Sequence, residues 1–274
     1  MMKPLIVATD FSPEAENAIE YACAAARHLN TKVVLFNSFN IPLHVSNARL
    51  PASVFNELLE NNRLLLKNRS SELSEKYSIQ VDYETSFLQL NEELETLFLK
   101  YDAAMVIMGT AARSLGQDLF GNTNTSSLLK LNFPVLAVPM NTVFKPVKTI
   151  LFACDVLRGI NIKILEEIKG FAKILNAEVN VFHVQNQLRS FSEAEKISNK
   201  TDQIKLSLEG ISHSYNPVES DTIIDEIKNE IIRINADILI MVPQRYGFWK
   251  SLVHTSKTRI MASESEIPLL SIRI

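Results

Sequence analysis

The chain has 274 residues, 46% hydrophobic and 22% charged, with a net charge of -3. That makeup fits a globular protein with room for two domains, each able to bury its own core. The balance of charge gives no footing for nucleic acid or an anionic membrane, no apolar run reaches spanning length, and MMKPLIVATDFSPE lacks a signal-peptide core, so the expected location is cytoplasmic.

Pro4–Thr9 reads as a buried strand. Ser12-Pro13 then signals a helix start, with Ser as N-cap, Pro at the first helical position and Glu14 and Glu16 at the positive end of the dipole. The helix is expected to run to about Leu29. Lys32–Phe39 reads as strand 2, Ile41–Ala52 as a loop, and Ser53–Lys76 as a long amphipathic helix with Leu58, Leu59, Leu65, Leu66 and Leu73 on one broad face. Strand 3 (Ile79–Phe87), a helix (Asn91–Tyr101) and strand 4 (Ala103–Met108) follow. Gly109–Asn122 reads as a loop, Thr123–Leu131 as a helix, Pro134–Pro139 as strand 5 and Asn141–Lys148 as a linker.

The second half repeats this plan. Strands are expected near Thr149–Cys154, Glu178–Val184, Ile211–Tyr215, Ala236–Val242 and Leu269–Ile274. Helices are expected near Asn161–Leu175, Ser192–Leu208, Thr222–Ile234 and Thr255–Ser263. LIVATD (Leu5–Asp10) is echoed by ILFACD (Ile150–Asp155), Leu29-Asn30 by Leu175-Asn176, and KVVLF (Lys32–Phe36) by EVNVF (Glu178–Phe182). MVIM (Met105–Met108) is echoed by ILIM (Ile238–Met241), and FPVLAV (Phe133–Val138) by IPLLSI (Ile267–Ile272). An ordered set of matches roughly 135–145 residues apart is a duplicated domain, not a solenoid repeat. Strands alternating with helices imply parallel sheets built by right-handed crossovers, so the fold class is α/β, doubly wound, twice. The domains are expected at 1–143 and 144–274.

In such sheets ligands bind beyond the carboxyl ends of the strands, where strand order reverses. Asp10 and Asp155 both end a first strand. Each could accept hydrogen bonds from a ribose, or cap its own turn or the helix that follows. Three of the seven glycines, Gly109, Gly116 and Gly121, fall in MGTAARSLGQDLFGNTNTSS (Met108–Ser127). Glycines let backbone amides approach an anion, and Arg113 could pair with phosphate oxygens. The alternative is a glycine-containing turn with a solvated arginine. A Walker loop is excluded, because GxxxxGK[ST] is absent. Cys23 and Cys154 have neither redox nor metal spacing and read as small buried residues. None of the five histidines is spaced as a metal ligand. His183 could face the same cleft as Asp155, either as a structural hydrogen bond or as acid–base chemistry. Arg63, Lys67 and Arg69 read as a solvated helix face. The loop at Ile41–Ala52 could close over a ligand, with Arg49 as a second cation.

VATDFSPEAENAIEYA (Val7–Ala22), MGTAARSLGQDLFGNTNT (Met108–Thr125) and FPVLAVP (Phe133–Pro139), with the weaker set ending in IPLLSI, give the chain its resemblance to a tandem universal stress protein. That resemblance covers nearly the whole length. It implies two Rossmann-like, adenine nucleotide alpha hydrolase-like domains of five parallel strands with helices on both faces. The domains would pair through their last strands, Val135–Val138 beside Leu269–Ile272, as an internal pseudo-dimer. A further homodimer of chains and a protein partner stay open. ATP-binding members carry G-x2-G-x9-G-[ST], and the aspartate after strand 1 helps hold the nucleoside.

Carried over residue by residue, Asp10 matches the nucleoside aspartate and Gly109 the first loop glycine. Ala112 stands at the second glycine position and Asn122 at the third, with Gly121 one place early and Thr123 at the hydroxyl position. Asn tolerates the left-handed region. Alanine there would cost about 1–2 kcal/mol, roughly a five- to thirtyfold loss of affinity. The second copy departs further. Val242 and Pro243 replace Gly109 and Thr110, Gly247 is its one glycine, and Tyr246, Phe248 and Trp249 would fill the space. The resemblance therefore implies a non-enzymatic stress-response protein that binds ATP or another adenine nucleotide in the first domain only. The alternatives are an interaction scaffold that has lost nucleotide binding in both domains, and a slow ATPase using the Asp10 cleft.

Overall fold

The computed structural model describes residues 2–38, 52–86, 90–110, 131–156, 159–185, 191–220, 222–242 and 267–273. The chain divides into two compact units, Met1–Thr110 with Met140–Phe144, and Ala111–Pro139 with Lys145–Ile274.

In the first unit the order is β1 (Leu5–Ala8), α1 (Pro13–Leu29), β2 (Val33–Ser38), α2 (Ala52–Tyr77), β3 (Val81–Ser86), α3 (Leu90–Tyr101) and β4 (Met105–Thr110). The strands are parallel and lie in the order β3-β2-β1-β4. β1 and β2 are buried along almost their whole length, as expected of a sheet covered on both faces. Ile6, Ile19, Val34, Phe36, Leu66 and Leu73 are buried in this core.

The second unit contains β5 (Val135–Pro139), β6 (Thr149–Ala153), α4 (Ile162–Leu175), β7 (Glu178–Gln185), α5 (Phe191–Ser207), β8 (His213–Glu219), α6 (Ile223–Ile234), β9 (Ile238–Met241) and β10 (Leu269–Ser271). β8-β7-β6-β9-β10 are parallel, in the strand order that the first copy follows over β3-β2-β1-β4. β5 runs antiparallel to β10, with Leu270 opposite Leu136, which makes this sheet mixed. The last strand of the first copy is thus built into the second unit. One face of the sheet packs Leu151, Phe182, Val184 and Leu239 against Ile227 of α6.

The local signals have visible causes. Ser12 caps α1 by accepting from the Ala15 amide at 3.2 Å, and Asn161 caps α4 by accepting from the Lys163 amide at 3.0 Å. The repeated Leu-Asn is a C-cap. Asn30 and Asn176 are left-handed, with φ of 50° and 51°, and their amides close the last helical turn. Asn235 ends α6 in the same way.

Four expectations need correction. β4 runs on through Gly109 and Thr110, where a loop was expected, because the glycine serves close packing rather than a turn. β8 begins at His213 and continues through Pro217 to Glu219. A proline is tolerated there because β8 is the sheet's edge. Leu65 is 60% exposed and not on the buried face of α2. The buried stripe is Asn62, Leu66, Ser70 and Leu73, and Leu65 lies about 100° away from Leu66. Arg69, expected on a solvated face, reaches Glu16 and Glu20 of α1 at 2.8 and 2.9 Å and Glu72 at 2.8 Å. The expected loop at Ile41–Ala52, save Ala52, the helix near Thr123–Leu131, save Leu131, and the whole helix near Thr255–Ser263 lie outside the described residues.

Candidate functional site

In both copies strand order reverses between the first and fourth strands, β1 and β4 in one, β6 and β9 in the other. Asp10 emerges at the carboxyl end of β1 and is exposed. Three side chains shape the chain there. Thr9 Oγ1 accepts from the Phe11 amide at 3.0 Å, Asp10 Oδ1 accepts from the Ser12 amide at 3.0 Å, and Ser12 caps α1. Phe11 sits at φ 62°, a conformation uncommon for a bulky residue, which costs about 1 kcal/mol or more and persists only when its surroundings enforce it. Asp10 therefore caps its own turn with one oxygen. Among the described residues its other oxygen accepts no hydrogen bond.

Beneath this turn lies a buried amide chain that the sequence reading missed. Asn37, at the end of β2, donates from Nδ2 to the Thr9 carbonyl at 2.6 Å. Asn62, on α2, donates from Nδ2 to Asn37 Oδ1 at 2.8 Å. Both asparagines are buried. The available signal was a polar residue ending an apolar strand, aligned with His183 of the other copy.

Gly109 lies against the first turn of α1. A Cβ there would fall on the Glu14 carbonyl and 2.7 Å from the Ala15 nitrogen, so only glycine lets β4 and α1 approach so closely. Thr110 accepts from the Met140 amide through its carbonyl, and its buried hydroxyl has no partner among the described residues. Asp10 and Gly109 are thus both at the switch point of the first unit. Ala112, Arg113, Gly121, Asn122 and Thr123 lie outside the described residues, as do Arg49 and Gly116.

The second copy builds the same corner differently. His183, fully buried, occupies the place of Asn37, and its Nδ1 lies 3.0 Å from the Cys154 carbonyl and 3.3 Å from the Val156 amide. Its Nε2 is buried and has no partner among the described residues. Burial holds the His183 pKa below its ordinary value, against the Cys154 carbonyl and the Asp155 charge, which act upward. Register puts Val181 and Tyr215, and His183 and Pro217, side by side on one face of β7 and β8. The Tyr215 phenol is pushed up, first by burial. Val156, matching Phe11, is fully buried. Pro243, Tyr246, Gly247, Phe248 and Trp249 lie outside the described residues.

Neither cysteine is activated. Cys23 is pushed up to about 12 by burial and the Glu20 charge, and burial raises Cys154 as well. Among the described residues no three His, Cys, Asp or Glu are grouped to hold a metal, and no helix is long and apolar enough to cross a membrane.

A family model described as the universal stress protein family matches residues 1–139. Among solved structures, a universal stress protein from Archaeoglobus fulgidus DSM 4304 is 15% identical, with a TM-score of 0.67 over 99% of this chain and 96% of that one. One described as a putative universal stress protein, from Pseudomonas aeruginosa UCBPP-PA14, is 12% identical, with a TM-score of 0.54 over 99% and 93%. The cytoplasmic domain of a prokaryotic cation chloride cotransporter is 9% identical, with a TM-score of 0.53 over 99% and 95%. At these identities the likeness is one of fold. No curated protein sequence matches the chain.

Proposed function

The chain belongs to the universal stress protein family, and from that premise we propose that it is a non-enzymatic, cytoplasmic stress-response protein whose first copy binds ATP or another adenine nucleotide. The observation that carries this reading is Asp10, exposed at the switch point with a carboxylate oxygen that accepts no bond among the described residues. An ionised carboxylate is acceptor-only and can take both hydroxyls of a ribose. Thr123, Arg113 and the amides from Gly109 through Ala112 to Gly121 and Asn122 would take the phosphates. The nucleotide itself would supply charge and a hydrolysable anhydride, and no group near Asp10 is assigned to attack it. The second copy, with Val242 in place of Gly109 and β5 paired along β10, serves as a structural partner.

Thermal melting with millimolar ATP and AMP tests this. A ligand at a hundred times its Kd stabilises by about 2.7 kcal/mol. We expect a rise in Tm that Asp10→Ala removes. No rise with either nucleotide would sink the reading.

A second reading, an interaction scaffold without nucleotide, draws on the Asp10 oxygen already engaged by Ser12. It predicts capture of a protein partner unaffected by Asp10→Ala. A slow ATPase would require phosphate release that survives purification and vanishes in the same variant.

A further inference from the structure

The Thr9 carbonyl belongs to the peptide that leads into Asp10. Fixing that peptide plane fixes the direction from which the carboxylate leaves the strand. In the first unit the plane is held by Asn37 Nδ2 at 2.6 Å. The Thr9 carbonyl can only accept, so it is the NH2 of Asn37 that faces it and the Asn37 oxygen points the other way. Asn62 Nδ2 donates to that oxygen at 2.8 Å, so the Asn37 carboxamide is held at both ends and resists swinging away from Thr9. Asn62 is supplied by α2, 25 residues further along the chain, and stands in the buried stripe where Leu66 and Leu73 pack. An amide in that stripe costs stability unless it is bonded.

We propose that Asn62 is a positioning residue for nucleotide binding. Acting through Asn37 and the Thr9 carbonyl, it holds Asp10 in the orientation that reads the ribose hydroxyls. This rests on the reading of Asp10 given above. The turn itself fits the role. Phe11 is kept left-handed, and the Thr9 and Asp10 side chains are both tied to backbone amides of the same turn. The second copy lacks this arrangement. There an imidazole nitrogen meets the Cys154 carbonyl and the Val156 amide, which set the orientation of the ring, and Val156 is not left-handed.

The experiment measures the affinity of the full chain for ATP and for 2′,3′-dideoxy-ATP, with the folded state of each variant checked by thermal melting. A hydrogen bond to a charged group is worth enough to give the intact chain a preference for ATP of about tenfold or more. Asn62→Leu should bring that preference to within about twofold of unity while leaving the affinity for the dideoxy compound within about twofold. Asn62→Ser, which removes the amide with less bulk, carries the same expectation and is used if the leucine variant does not fold. Asn37→His, which places the second copy's ring against Thr9, should retain the preference. Equal loss of affinity for both nucleotides in the Asn62 variants would mean a purely structural role and would overturn the proposal. An unchanged preference in those variants would overturn it too, with the reading of Asp10 left standing. If the intact chain binds neither compound, or both equally, the reading of Asp10 fails and the positioning role with it.

Discussion

The ends of β2 and β7 are the same place in two copies of one domain, and they are wired differently. Both present a side chain to the carbonyl that precedes the strand-end aspartate, Asn37 to Thr9 and His183 to Cys154. The first copy completes the contact with a second buried amide, Asn62, and holds Phe11 left-handed above it. The second leaves a ring nitrogen buried and, among the described residues, unpartnered. A duplicated fold keeps the anchor of that peptide, while the groups around it are free to change.

The two copies differ most sharply in the residue at the end of the fourth strand. Gly109→Val, which installs the Val242 of the other copy, should destabilise the first unit by about 3 kcal/mol or more, because the side chain meets the backbone of α1 and not a movable side chain. Urea denaturation reads this. A cost under about 1 kcal/mol would mean that α1 and β4 are not closely packed.

Asn37→Leu comes next. It leaves Asn62 Nδ2 and the Thr9 carbonyl without their bonds, at about 2 kcal/mol. His183→Leu should cost less, since it also removes a nitrogen that has no partner among the described residues. A larger cost at His183 would reverse the comparison.

Arg69→Met should cost about 1–2 kcal/mol, between the values for exposed and buried ion pairs. Burial acts to raise Glu20, yet bonds from Lys76, Tyr77 and Arg69 hold it below the ordinary carboxylate range. Its contribution is therefore present above the unfolded pKa and lost as pH falls through the folded one. The pH dependence of unfolding below about pH 5 should flatten in Arg69→Met.

The smallest effect is also a titration. The folded pKa of His183 is depressed, so the unfolded chain takes up the proton first. Stability from this residue is present above about pH 6.5 and declines as pH falls toward the folded value, by at most about 1.4 kcal/mol per pH unit. His183→Asn should abolish that slope, and Asn37→His should introduce one in the first unit. A slope unchanged by His183→Asn would show that another group titrates.

Much of the fold was legible because its signals are local or repeated. Ser12-Pro13 marks a helix start by side-chain chemistry alone, and the echo of Leu29-Asn30 in Leu175-Asn176 has a cause, since Asn accepts the left-handed C-cap. What stayed hidden depends on distance. Nothing in the chain announces that Asn62 meets Asn37, or that Arg69 joins Glu16 and Glu20, because such contacts exist only once α2 lies on the sheet. Gly109 was found, but its packing against Glu14 shows only once α1 is in place. Asp10 was legible as a strand-end carboxylate, and its bond to Ser12 was one of two readings the sequence allowed.

Counting bound nucleotides separates the two copies. Native mass spectrometry of the full chain with saturating ATP should give one ATP per chain, lost in Asp10→Ala and kept in Asp155→Ala. Two per chain, or a single ATP that survives Asp10→Ala and disappears in Asp155→Ala, would contradict it.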